Sequence, residues 1–196
     1  ALPIYNRDVL NDHYSINICN GKSNNGIIGA KKRIIVIGDL HADYNKALNI
    51  FLNLNIIDKN HNWICTPRDT VVVQLGDQVD GGGRGLGDTE GDEIKLIEFM
   101  DDIHEKAQKQ GGGVFSLIGN HEIMNLLGDF RYASKEDIRK QGGVEKRKQL
   151  FSPGSKIFCK MACTRHVVLK VGNFLFCHAG VIPEHIENED EFIKKI

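Results

Sequence analysis

Four short stretches place side chains that can bind a cation or move a proton directly after apolar runs. They are "GDLH" with Asp39 and His41, "GDQVD" with Asp77 and Asp80, "GNHE" with Asn120, His121 and Glu122, and "CHAG" with His178. Taken singly, each Asp reads as a helix cap and each His as a satisfied core residue. Four in series, each beside a glycine that lets the backbone turn and approach an ion, point instead to a common site. Oxygen and imidazole donors without thiolate suit Mn, Fe or Zn. Ligands at four strand ends suit two adjacent ions, and a pair roughly 3.5 to 4 Å apart activates water and clamps a phosphoryl group during in-line displacement. Asn120 then has a purpose, because an amide supplies oxygen without adding negative charge. The leaving alkoxide needs a proton, and His121 is placed to donate it if a carboxylate, here Asp80, fixes its tautomer.

These residues must be positioned by a scaffold whose outline is readable. "RIIVIG" (33–38), "TVVVQLG" (70–76) and "GVFSLIG" (113–119) are unbroken β-branched or apolar runs ending in glycine, as expected of strands covered on both faces. Between them Ala47, Ile50, Phe51 and Leu54, then Ile94, Ile97, Met100, Ile103 and Ala107, form helical stripes. The pattern is β-α-β-α-β, hence an α/β chain with a parallel core whose ligand site lies beyond the carboxyl ends of the strands. "HVVLKV" and "NFLFC" flank Gly172 and Asn173 as a hairpin. "SKED" (134–137) is a capping box opening a charged helix through Gln149, read as a solvated face. Residues 1–32 read as an irregular arm and 33–196 as the catalytic domain; "GKS" at 21–23 lacks the context of a P-loop.

The 196 residues suffice for one core, and a formal net charge of −1 offers no general attraction to nucleic acid or an anionic membrane. No apolar run reaches the ~20 residues needed to span a bilayer. Five cysteines without CxxC spacing read as inert, mostly buried thiols. The chain begins at Ala1, so a removed upstream segment and the compartment stay open.

In this order the four motifs resemble those of the phosphoprotein phosphatase family of calcineurin-like metallophosphoesterases. The text "GGGVFSLIGNHEIMNLLGDFRY" and "FCHAGVIPEH" is most similar to the bacterial-type Shewanella-like protein phosphatases. The resemblance implies a β-sandwich flanked by helices, two ions of the Mn, Fe or Zn type, and hydrolysis of phosphoserine and phosphothreonine, with phosphotyrosine also in range, by hydroxide held on the ions. Asp39 and His41 would hold the first ion, Asp77 bridge, and Asn120 and His178 hold the second. His121 would be the general acid, partnered by Asp80. The implied partner is a phosphoprotein; the regulatory subunit is left undetermined.

Two departures from the pattern follow. Gly81 stands where the family has a phosphate-gripping Arg, leaving Arg84 and Arg131 as substitutes. The chain also ends 18 residues past His178, before a further His ligand that the family supplies, so the expected domain is incomplete at its C-terminus. A nucleotide or diadenosine polyphosphate hydrolase on the same scaffold is the alternative enzyme. A noncatalytic phosphatase-like binding module is the alternative of another class.

Overall fold

The computed structural model of the protein describes residues 26–82 and 92–182. Two sheets meet face to face. One has the order β2 (Ile34–Ile37), β3 (Val71–Gln74), β4 (Gly113–Leu117), β5 (Arg165–His166), all parallel. The other has the order β1 (Ile27–Ile28), β6 (Val168–Val171), β7 (Phe174–Cys177), with β1 parallel and β7 antiparallel to β6. Ile27 and Ile28 thus pair as a strand inside the stretch expected to be an irregular arm.

Helices α1 (Tyr44–Asn53) and α2 (Glu93–Gln108) supply the crossovers that parallel strands require. Their apolar stripes, including Ala47, Phe51, Leu96, Met100 and Ile103, pack with Val72 and Val114 on one face of the four-stranded sheet. On the opposite face Val71, Val73 and Leu117 meet Leu169 and Val171 of the second sheet, so β3 is apolar in every valine because both faces are covered. Each such valine contributes about 1.5 to 3 kcal/mol by leaving water. The result is the expected α/β sandwich with helices outside. No helix among the described residues is long and apolar enough to cross a membrane.

Three readings change. The run from His166 to Val171 is not one strand: Arg165 and His166 pair with β4, whereas Val168 to Val171 join the other sheet, so the chain passes between layers at Val167. A uniform apolar string carries no mark of such a switch. The charged stretch after "SKED" is not one solvated helix. Ser134 caps α4 (Lys135–Lys140), Gly142 and Gly143 at φ 91 and 102 end it, and α5 (Val144–Phe151) restarts the chain with Arg147 fully buried. Last, Cys65, Cys159 and Cys177 are free, but Cys163, in α6 (Lys156–Thr164), is disulfide-bonded. Disulfide partners are set by tertiary proximity, which spacing does not reveal.

His104 and His166 lie beside the ring of Phe115, and burial pushes both imidazoles below their usual 6.5. His104 Nδ1 meets the Val114 carbonyl at 2.6 Å. An unfolded chain therefore takes up protons at these positions before the folded one. Their contribution to stability is complete above pH 6.5 and is lost as pH falls below it. Thermal midpoints measured from pH 7.5 to 5 should fall more steeply for the native chain than for the His104→Phe/His166→Phe double variant. Parallel curves would exclude these residues as the source of the acid sensitivity.

Candidate metal centre

Parallel β2, β3 and β4 end along one edge, about 4.8 Å apart from strand to strand, which brings the segments after them into contact. Leu40 and His41 donate their backbone N–H groups to the Asp77 carbonyl at 3.0 and 2.9 Å, and Ala42 donates to Gln78 O at 2.8 Å. Buried Gln74 joins the same ends, donating from Nε2 to the carbonyls of Gly38 at 3.2 Å and Gly76 at 2.5 Å. To meet these constraints His41, Ala42, Asp77 and Asp80 take φ values of 45, 61, 54 and 67. Left-handed backbone at a non-glycine costs roughly 1 to 3 kcal/mol per residue and persists where surrounding contacts enforce it.

The strongest of those contacts comes from Glu122 in α3 (Asn120–Leu126). Its carboxylate is buried and accepts backbone N–H groups from Asp77 at 2.9 Å, Gln78 at 2.7 Å, Val79 at 3.3 Å and Gly119 at 2.7 Å. Burial pushes its pKa up, and the N–H donors oppose that shift. Glu122 thus turns away from the ligand cluster and fastens the loop after β3 to the start of α3. The sequence signal was its presence inside "GNHE"; its direction was not readable.

On the open side, Asp77 Oδ2 is the common centre. It lies 3.5 Å from His178 Nε2, 3.8 Å from His41 Nε2 and 3.9 Å from His121 Nε2. His41 Nε2 is also 3.6 Å from Asp39 Oδ2, and His178 Nε2 is 2.9 Å from Asn120 Oδ1. Ligand atoms of His41, Asp77 and His121 fall within 4.8 Å of one another, as do those of Asp39, Asp77 and His178. Asp77 belongs to both groups. His121 therefore shares space with His41, a closeness that adjacency to Asn120 alone did not indicate.

The donor set fits a cation. His178 Nδ1 is 2.8 Å from the Leu75 carbonyl and His41 Nδ1 is 3.3 Å from the Val79 carbonyl. Carbonyls only accept, so each Nδ1 carries a proton, and in a neutral ring the Nε2 lone pair would point at Asp77 and its neighbours. In a neutral His178 that lone pair would face the Asn120 oxygen, and a positive ion between the two acceptors would reconcile them. Coordination chemistry of this kind needs a neutral imidazole and an ionised carboxylate.

His121 differs. Its Nδ1 is 2.8 Å from Asp80 Oδ2, both side chains are buried, and its backbone N–H donates to Asp77 Oδ1 at 3.0 Å. The ring of Tyr132 lies 5.1 Å away, centroid to centroid. Arg131 does not join the cluster: its exposed guanidinium forks onto Asp129 at 2.9 and 2.8 Å. Arg84 lies outside the described residues.

The profile of the calcineurin-like phosphoesterases matches residues 32–195. The chain belongs to that family. Among curated relatives, this chain is 28% identical over 198 residues to Shewanella-like protein phosphatase 2 of Arabidopsis thaliana, covering 80% of this chain and 48% of that protein. It is 28% identical over 151 residues to Shewanella-like protein phosphatase 1 of Plasmodium berghei, covering 76% and 39%. A solved structure described as a cold-active protein-tyrosine phosphatase of a psychrophilic Shewanella superposes with a TM-score of 0.70 at 25% identity, covering 84% of this chain and 46% of that one. The chain spans about half the length of the curated relatives it matches or less. Family membership gives the fold, and the relatives it matches are named as protein phosphatases.

Proposed function

We propose that this chain carries the dimetal site of a phosphoprotein phosphatase acting on phosphoserine and phosphothreonine monoesters, with phosphotyrosine in its range. In this reading residues 33–196 belong to the catalytic domain, Asp39 and His41 hold one ion, Asn120 and His178 hold the other, and Asp77 bridges. Two ions of the Mn, Fe or Zn type, when bound, supply a water of lowered pKa and neutralise charge on the phosphoryl oxygens. Phosphotyrosine enters because a solved relative is described as a tyrosine phosphatase.

The observation that carries the reading is His121, with Asp80 at 2.8 Å behind Nδ1 and its own Nε2 turned toward Asp77. Asp80 holds the ring in the orientation that leaves Nε2 facing the reacting group. A proton delivered from Nε2 to the departing seryl or threonyl oxygen prevents formation of a free alkoxide, a contribution of about 10² to 10⁴ in rate. Phenolic leaving groups need that proton less. His121→Asn should therefore retain the metal, lose about 100-fold or more on phosphoserine peptide, and lose distinctly less on 4-nitrophenyl phosphate. Equal losses on both substrates would remove His121 from the general-acid role.

The substrate class is tested by phosphate release from phosphoserine, phosphothreonine and phosphotyrosine peptides and from a dinucleoside polyphosphate, with and without Mn²⁺. Metal-dependent turnover of peptides is expected. Preference for the dinucleotide would replace the protein substrate with a nucleotide, and absence of any turnover would favour a binding role.

A further inference from the structure

Behind the His121–Asp80 contact stands a side chain that the charged text "VEKRKQ" did not single out. Arg147 is fully buried, and its partners in the described structure are side chains of the residues around that contact. Its Nη2 donates to Asp80 Oδ1 at 3.1 Å, to Glu93 Oε2 at 3.2 Å and to Asn125 Oδ1 at 2.6 Å. Its Nε donates to Asn125 Oδ1 at 3.0 Å, and its Nη1 donates to Gln141 Oε1 at 2.9 Å and to Glu93 Oε1. Asn125 passes the connection on, donating from Nδ2 to the His121 carbonyl at 2.9 Å. Glu93 in turn accepts the Asp80 backbone N–H at 3.2 Å.

We propose that Arg147 is a positioning residue for proton donation, fixing Asp80 by its carboxylate and His121 by its main chain. The inference rests on His121 acting as the general acid. Asp80 has two carboxylate oxygens: Oδ2 meets His121, and Oδ1 meets Arg147. With both engaged, rotation of the carboxylate is blocked, so Oδ2 stays in line with Nδ1. Asp80 also holds φ at 67, a backbone state that needs enforcement, and Glu93, itself neutralised by Arg147, grips its N–H. The planar fork matters, since guanidinium donors reach Asp80, Glu93, Asn125 and Gln141 together and a lysine ammonium cannot.

A residue that merely held the fold would lower every activity alike or lower the amount of folded enzyme. Loss of positioning instead falls on substrates whose leaving group needs a proton. The test compares the native chain, His121→Asn, Arg147→Met and Arg147→Lys in the full chain, with phosphoserine peptide and 4-nitrophenyl phosphate as substrates and bound metal measured on each preparation. Arg147→Met should lower kcat on the peptide about tenfold or more, below the full general-acid loss, with KM and metal content little changed and a much smaller loss on the aryl ester. Arg147→Lys should show the same split to a lesser degree, and it carries the test if uncompensated Asp80 and Glu93 prevent Arg147→Met from folding. In an Asp80→Asn background the loss caused by either Arg147 substitution should shrink, since two residues acting through one contact are not additive.

Equal losses for His121→Asn on both substrates would overturn the general-acid reading beneath the inference. A split in His121→Asn, with equal or no losses in the Arg147 variants, would overturn the role of Arg147 alone. Full additivity with Asp80→Asn would do the same.

Discussion

Asp77→Asn is expected to abolish metal-dependent turnover while leaving the apo fold intact. Asp77 Oδ1 accepts the His121 backbone N–H at 3.0 Å, a contact that the amide oxygen of Asn can keep. The amide NH2 then takes the place of Oδ2, where the Nε2 atoms of His178, His41 and His121 converge at 3.5 to 3.9 Å. A donor replaces the central acceptor, and the negative charge shared by both ligand groups disappears. Asn also tolerates the left-handed backbone at φ 54, so folding has no reason to suffer. Metal affinity should drop by more than the about 10 to 100-fold that an outer partner costs, with turnover falling in step. Calorimetric Mn²⁺ titration together with apo thermal melts checks this. Native affinity in the variant would exclude Asp77 as the bridge, and a collapsed apo melt would mean that it is structural.

Gly119→Ala should lower stability strongly. A Cβ there would come within 2.2 Å of Asp77 Oδ1 and 2.6 Å of the Asp77 backbone nitrogen. Retreat is blocked because Gly76 presses from the facing side, where its own Cβ would stand 2.6 Å from Gly119 N. The Gly119 backbone is extended, at φ −99 and ψ 180, so the penalty is collision rather than conformation. Overpacking of this kind costs about 1 to 3 kcal/mol, and here it also displaces Asp77 from Glu122 and from the neighbouring histidines. Urea unfolding of the apo protein should show a loss at the upper end of that range, with weakened metal binding. Gly38→Ala, where a Cβ meets nothing within 4 Å, is the comparison and should be near neutral. Equal stability of the two variants would show that the two loops separate freely.

The contrast between Gly38 and Gly119 marks a limit of motif reading. Both precede a candidate ligand, and in sequence both read as room for a sharp turn. Only the packing of two loops against each other makes one of them indispensable, and that packing joins residues more than 40 positions apart in the chain.

Residue types and their order were enough to mark Asp39, His41, Asp77, Asn120, His121 and His178 as one set, and to order β2, α1, β3, α2 and β4. Strand ends carry their chemistry adjacent to apolar runs, and such patterns are local. What the tertiary structure alone decided is how the set is held. Glu122 turns inward to four N–H groups, Arg147 is drawn from a run of exposed-looking charge into the interior, and the chain changes sheets at Val167. Hydrogen-bond satisfaction and burial are properties of neighbours in space, and a lone charged residue in a polar helix carries no trace of whether its neighbours will be water or buried carboxylates.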